Sequence, residues 1–358
     1  MGTFTKKNIR HLSEEEIKAN LAELSEPGFR AAQISQWVWQ KGAASFDEMT
    51  NLPKALRDKL AENFDIYKMT IATRQISSDG TIKLAFRLYD GELVEGVLIP
   101  HEKRMTACIS SQVGCSLACS FCATARLPRK RNLYFDEIYD QVALIHRETM
   151  QQNSLPLTNI VFMGMGEPLL NYGQVQKAIK KITSDEGLGM APKRITVSTA
   201  GIAKMITKLG DENVKFNLAL SLHAANDKKR NQIMAINETN DLETLKAALK
   251  HFYNQTGSRV TFEYVMLKGF NDTLEDAKEL ADFCAAVPCK VNLIEYNPIE
   301  NGIFEKSSGN ALHRFKDHLE TRHIIANIRR SRGEDIDAAC GQLANKGGGR
   351  NIVAFAVF

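Results

Sequence analysis

The sequence predicts an α/β chain with a (β/α) core over residues 101–346. A smaller accessory unit of helices and a β-hairpin precedes it over residues 1–100, and a short tail covers 347–358. Three observations carry this. From about residue 104, short apolar runs alternate with helix-length segments, the pattern of a parallel sheet with crossover helices. Before that, the apolar period is helical as far as residue 62 and then changes to strict alternation. The residues with the most chemistry each follow a predicted strand, where (β/α) folds carry their sites.

In the accessory unit, Ser13 followed by Glu14, Glu15 and Glu16 is an N-cap with an acidic first turn, and Ile17, Leu21 and Leu24 recur at helical spacing. The stretch from Gln33 to Gln40 presents Ile34, Trp37, Val38 and Trp39 as a second helical face. Leu52-Pro53 opens a third helix, with proline at a permitted first-turn position. Ile82, Leu84, Phe86 and Leu88 alternate with Lys83, Ala85 and Arg87, which predicts a half-buried strand bracketed by the turns Asp79-Gly80 and Asp90-Gly91.

In the core, strands are predicted at 105–110, 158–163, 194–198, 214–221, 259–266, 290–295 and 323–329. Helices are predicted at 135–150, 173–183, 241–254, 273–286 and 309–321. Six or more such units make an open or closed barrel with its site at the C-terminal strand ends. The cysteines, Gly164-Met165-Gly166-Glu167, Ser198-Thr199, Ser221-Leu222-His223 and Asn297 all fall there.

An apolar content of 44% and a charged content of 25% are those of a globular protein. Apolar runs such as 159–165 are too short to span a bilayer, and no export signal opens the chain, so a cytoplasmic protein is expected. A net charge of +4 does not by itself indicate nucleic acid. Local density says more: Arg126, Arg129, Lys130 and Arg131 crowd one stretch, and Arg322, Arg329, Arg330 and Arg332 another. Such clusters either neutralise phosphates or form a solvated face; both flank the cysteines described below, which favours RNA. Trp37 and Trp39 are read as core, with stacking on bases the rarer role.

There are seven cysteines, an odd number that is no disulfide framework in a reducing compartment. Cys115, Cys119 and Cys122 stand in a C-x3-C-x2-C loop after the first core strand. Three soft thiolates on one loop can ligate three irons of a cubane and leave the fourth iron open. A zinc site is the competing reading, with Cys108 as fourth ligand. Cys284 and Cys289 are assigned to packing.

The cysteine spacing and the preceding Ser110-Ser111-Gln112-Val113-Gly114 resemble the RlmN/Cfr family of radical S-adenosylmethionine (SAM) RNA methyltransferases. The resemblance covers about residues 12–346. It includes Gly164-Met165-Gly166-Glu167-Pro168-Leu169-Leu170-Asn171, Ser198-Thr199-Ala200-Gly201, Ser221-Leu222-His223-Ala224, Tyr296-Asn297-Pro298 and the specific run from Asp335 to Leu343. Within the family the chain is more similar to RlmN than to Cfr, since Pro168 follows Glu167 and Val113 precedes Gly114. The resemblance implies a partial (β/α)6 TIM-barrel radical SAM core, one [4Fe-4S] cluster on Cys115, Cys119 and Cys122, and a SAM pocket lined by Gly166, Glu167, Ser198, Ser221, Leu222, His223 and Asn297.

It also implies a route. Adenine C2 is electrophilic, so methyl transfer by simple displacement fails there. In the family a cysteine, here Cys340, first takes a methyl group from one SAM. After hydrogen abstraction its methylene adds to C2, Glu95 takes the C2 proton, and Cys108 attacks the Cys340 sulfur to release RNA through a transient disulfide. The implied substrates are 23S rRNA and tRNA, and the implied reductant is of flavodoxin or ferredoxin type. A monomer is expected. Two alternatives remain at this point: a Cfr-like enzyme methylating adenine C8, and a zinc-stabilised RNA-binding protein without catalysis. The chain departs from the family pattern at Ala125, where glycine is usual, at Ala235-Ile236-Asn237, and in the additional tail.

Overall fold

In the computed structural model, which describes residues 6–153 and 155–345, ten strands form one open sheet. Seven run parallel and lie side by side in chain order: Arg104–Cys108, Asn159–Phe162, Ile195–Thr199, Asn217–Ser221, Val260–Met266, Cys289–Glu295 and Ala326–Arg329. Each of the first six is followed by at least one helix, which makes six βα units and a closing strand. The two edge strands of the sheet, Thr70–Ile76 and Ala326–Arg329, are not neighbours, so the barrel is partial, as expected. The expected tail at 347–358 lies outside the described residues.

Helices occur where the apolar spacing predicts them, at Phe135–Asn153, Tyr172–Thr183, Leu242–Thr256, Leu274–Cys284 and Gly309–Thr321. Two more, Ala203–Asp211 and Asp227–Ile233, are too short for periodicity to separate from loop. One long core cluster fills the space between sheet and helices. A second, smaller one sits where the parallel strands end, built on Ala200, Ala224, Ile233, Met234, Val265, Leu267 and Tyr296.

The antiparallel strands Thr70–Ile76, Ile82–Arg87 and Leu93–His101 are not a sheet apart. Leu93–His101 pairs along its far edge with Arg104–Cys108, so all three continue the core sheet. The strand Ile82–Arg87 is also not half-buried. Lys83 and Ala85 are covered on the face read as polar, because the C-terminal segment around Asp337 lies across them and takes the Lys83 ammonium on the Asp337 carbonyl at 3.4 Å. Alternation in sequence reported which residues are polar, not what would cover them.

The accessory helices are Glu14–Glu23, Arg30–Ser35 and Lys54–Asn63. The Ser13 side chain caps the first and Glu16 returns the bond to the Ser13 N–H at 2.7 Å, a reciprocal box. The expected helix over 33–40 is instead α-helical only to Ser35 and continues as a wider π-helical turn, Gln36–Lys41. That turn buries Val38 and Trp39 together and leaves Trp37 at the edge, bonded to Asn51 and covered by the Lys41 ammonium 3.9 Å from its ring. Trp39 is core, under the Arg10 guanidinium at 4.5 Å and edge-on to Tyr139.

Arg10 ties this unit to the barrel. Its guanidinium is fully buried and grips Asp140 on helix Phe135–Asn153 by two bonds, 2.7 and 2.8 Å. Asn8 and His11 hold Asp136 one turn earlier, at 2.7 and 3.0 Å. Removing one member of a buried ion pair strands its partner's charge. Arg10→Ala is therefore expected to cost roughly 3–5 kcal/mol in urea denaturation, and Arg10→Met with Asp140→Leu to recover much of it. Equal losses in the single and double variants would refute this account.

Candidate active site

The strand ends carry a ring of polar side chains. Ser198 and Ser221, on adjacent strands, face each other with their hydroxyls 3.3 Å apart. Glu263 lies in register with Ser221 on one side and with Asn292 on the other, and Asn292 donates to its carboxylate at 2.8 Å. Gly166 adopts a left-handed φ of +91°, and a Cβ there would stand 2.5 Å from the Gln112 side chain, so only glycine fits. Gln112 then accepts the Glu167 N–H at 2.9 Å, which sets the direction of the turn.

Glu167 is buried and accepts the N–H groups of Leu169 at 3.0 Å and Ala200 at 2.7 Å. Burial outweighs these bonds and pushes its carboxyl up to about 7. His223 has a left-handed φ of +59° and is buried against Phe121, whose ring meets it edge-on at 4.7 Å. Its Nδ1 accepts the Val265 N–H at 3.0 Å, which leaves Nε2 as the donor. Burial, then the nearby Arg230, push the imidazole down to about 3, so it is neutral at physiological pH. Leu222 is fully buried beside it. Asn297 is buried too; its amide donates to the Cys340 carbonyl at 3.1 Å, while its own Oδ1 is buried without a hydrogen-bond partner. A polar ligand would satisfy that oxygen.

The cysteine loop closes over this ring. Cys115, Cys119 and Cys122 are free and partly buried, and Cys115 and Cys119 each feel the charges of Cys122 and Glu167. Burial pushes both of those thiols up, as expected for apolar surroundings that include Leu117, Phe121, Phe270 and Phe304. Ala118 takes a left-handed φ of +49° to turn the chain between the first two cysteines. Ala125, by contrast, lies in a short 3₁₀ turn over Thr124–Arg126, and no left-handed φ is required of it, so alanine fits where the family has glycine. Among the described residues no three His, Cys, Asp or Glu side chains converge as one metal ion requires. Cys108, the fourth zinc ligand in the competing reading, lies instead under the influence of Cys340.

The segment 333–345, which carries Cys340, is strapped across the site. Asp79 accepts the Gly333 N–H at 3.0 Å and Asp335 takes the Ser77 hydroxyl at 2.6 Å. Ala123 donates to the Gly341 carbonyl at 2.7 Å, and Thr124 to the Leu343 carbonyl at 2.6 Å. Glu95, 2% exposed, accepts the N–H groups of Ala344 and Asn345 at 2.9 and 3.2 Å on one oxygen, and Lys83 lies 3.7 Å from the other. Glu95 is thus no surface carboxylate. Cys108 is a buried thiol pushed up by burial and then by Cys340. Cys340 is open to solvent yet deep in the concavity; desolvation, then Glu263, push its thiol up. Both are free thiols, with no disulfide between them.

The basic clusters are mostly spoken for. Arg131 pairs with Asp90 at 2.6 Å and Glu137 at 2.7 Å, and Lys130 with Glu92 at 2.7 Å. Arg126 binds the carbonyls of Glu300 and Asn301. Arg322 pairs with Asp282 and Arg330 with Glu295. Sequence density of arginine overstated the charge free for phosphate, because the partners lie far away along the chain.

Arg230 was not singled out in the sequence. It is fully buried and donates to the carbonyls of Leu222 at 3.0 Å, Ala200 at 2.6 Å and Ser221 at 3.3 Å, and to Asn237 at 2.6 Å. Its neighbours Lys228 and Lys229 disguise it as a solvated cation; the only signal was its place three and four residues before the buried Ile233 and Met234.

Comparisons with known proteins agree with this geometry. Residues 7–66 match the ribosomal RNA large subunit methyltransferase N-terminal domain, and residues 109–284 match the radical SAM superfamily. The chain is 61% identical to a probable dual-specificity RNA methyltransferase RlmN from Cytophaga hutchinsonii, over 95% of this chain and 93% of that one. It is 44% identical to the dual-specificity RNA methyltransferase RlmN of Anaeromyxobacter dehalogenans, over 95% and 92%. The crystal structure of a radical SAM methyltransferase from Sphaerobacter thermophilus superposes with a TM-score of 0.88 at 40% identity, covering 94% of this chain and 99% of that one. No helix among the described residues is long and apolar enough to cross a membrane. With a parallel partial barrel, a three-cysteine loop over its strand ends and relatives matched along almost the whole chain, the protein belongs to the RlmN family of radical SAM methyltransferases.

Proposed function

We propose that this enzyme methylates C2 of adenine in 23S rRNA and tRNA, with Cys340 as the methyl carrier. The observation that supports this reading is the strap, which carries the exposed Cys340 and binds its own end to the buried Glu95. Cys115, Cys119 and Cys122 would hold a [4Fe-4S] cluster, and Gly166, Glu167, Ser198, Ser221, Leu222, His223 and Asn297 would line the SAM pocket. Cluster and SAM, when bound, supply the methyl group and the 5′-deoxyadenosyl radical, with an electron from a flavodoxin- or ferredoxin-type donor.

The chain's own residues do the rest. The Cys340 thiol loses its proton, and the thiolate accepts the methyl group while the sulfonium carbon–sulfur bond breaks. Solvent access to Cys340 from the concavity lets an unstacked base reach it. Glu95 takes the C2 proton; burial beside Lys83 and two backbone N–H groups holds its carboxylate in place. Cys108, as its thiolate, then attacks the Cys340 sulfur; the disulfide bond forms as the sulfur–methylene bond breaks, and the methylene carbon leaves with the bond's electrons and takes a proton to become the methyl group of the freed base. The neutral Nε2–H of His223 and the open Oδ1 of Asn297 are a donor and an acceptor for SAM. The helices within residues 1–100 grip the RNA, and the chain works as a cytoplasmic monomer. The named RlmN relatives favour C2 over C8, and the radical SAM match leaves the non-catalytic zinc reading without support.

Anaerobically reconstituted enzyme, given SAM with a deuterated methyl group, reductant and unmodified rRNA or tRNA, is expected to yield 2-methyladenosine retaining two of the methyl deuterons by mass spectrometry. Cys340→Ala should abolish the product and keep the cluster's visible absorption; 8-methyladenosine, or product from Cys340→Ala, would overturn the reading. Glu95→Gln retains the acceptor for Ala344 and Asn345 but not the base, so an RNase-sensitive protein–RNA adduct should accumulate on denaturing gels. SAM affinity should depend on pH. Glu167 is neutral below about 7, and only its carboxylate pairs with the SAM ammonium, so binding must expel the proton at lower pH. Affinity is expected to be about tenfold weaker at pH 6 than at pH 7.5, measured by calorimetry, and Glu167→Gln should flatten the profile.

A further inference from the structure

Arg230 is a buried cation without an ion pair. Its donors go to three backbone carbonyls and the Asn237 amide oxygen. Among the described residues no carboxylate lies within ion-pair distance of it; Asp227 is the nearest in effect, and that side chain is occupied by the Asn237 amide at 2.8 Å and the Leu242 N–H at 3.0 Å. Burial lowers the guanidinium to about 10, which still leaves it charged at physiological pH. A buried charge that is hydrogen-bonded but unpaired is costly, so an anion nearby is expected to offset it.

The anionic group it faces is the cysteine loop. Arg230 and Cys119 lie close enough for their charges to act on each other. Backbone geometry locks the two together: helix Asp227–Ile233, which carries Arg230, ends in an Ile233 carbonyl that accepts the Ser120 N–H at 3.0 Å, one residue past Cys119. The same guanidinium pins Ala200, Ser221 and Leu222, and Ala200 is pinned again by Glu167 through its N–H. One side chain therefore fixes turns from two strands and the charge beneath the loop.

We propose that Arg230 is a positioning residue that serves as internal counter-cation to the cluster on Cys115, Cys119 and Cys122, easing its reduction while holding the Ala200, Ser221 and Leu222 carbonyls in place. This rests on the cysteine loop being the cluster site. Each electron added makes that site more negative, and a fixed buried cation stabilises the reduced form more than the oxidised one.

The test is a redox titration followed by electron paramagnetic resonance on reconstituted enzyme, with iron and sulfide assayed in the same samples. Arg230→Gln should load iron as the parent does and be about tenfold harder to reduce, a midpoint about 59 mV lower for one electron. Arg230→Lys, which keeps the charge, should stay near the parent. An unchanged midpoint in Arg230→Gln, or an equal fall in Arg230→Lys, would overturn the proposal while leaving the cluster assignment standing. Absence of iron and sulfide from the parent enzyme would remove both. If Arg230→Gln fails to fold, Asp227→Asn decides: it removes the nearest carboxylate acting on Arg230 and should raise the midpoint, and no change would refute the counter-cation role.

Discussion

The active site depends on a backbone strap. Residues 333–345 cross the C-terminal ends of the sheet and are held from both sides, by Asp79 and Ser77 at the start and by Glu95 at the finish. Between these anchors, the carbonyls of Cys340, Gly341 and Leu343 are taken by Asn297, Ala123 and Thr124. The strap is fixed through its backbone and through the side chains of Asp335, Gln342 and Asn345, while Cys340 is left exposed to solvent. A carrier thiol needs that combination: a defined position and an accessible sulfur.

Two buried arginines organise the molecule on either side of the strap. Arg10 joins the N-terminal helices to the first crossover helix through Asp140, and Arg230 ties the strand-end turns at Ala200, Ser221 and Leu222 together. Their electrostatics differ. Arg10 has carboxylates in contact and contributes to the docking of one unit on another. Among the described residues Arg230 bonds only carbonyl and amide oxygens. A structural ion pair and a functional lone cation are distinguished by what compensates them.

The environment also separates titratable groups that look alike in composition. Glu95 and Glu167 are both buried carboxyls near the strand ends, yet Glu95 sits beside an ammonium as well as two N–H donors, while Glu167 has N–H donors and no cation and is pushed up to about 7. His223 is driven to neutrality by burial and by Arg230. The surroundings thereby leave Glu167 a raised carboxyl and His223 a neutral imidazole with Nε2 as its donor.

The sequence by itself determined the alternation of strands and helices, the capping of Glu14–Glu23 by Ser13, and the C-x3-C-x2-C loop, because all of these are local: they follow from periodicity, side-chain capping and spacing along a few residues. It also placed Ser198, Ser221, His223 and Asn297 at strand ends, since strand position is itself local information. Tertiary structure decided the rest. Lys83 became buried because a strap from the far end of the chain covers it. Glu95 changed from a hairpin carboxylate into the anchor of that strap. In the basic runs Lys130, Arg131, Arg322 and Arg330 found acidic partners, and Arg230 passed from a lysine-flanked helix face to the interior. Burial and charge pairing depend on which surfaces meet, and no window of neighbouring residues contains that information.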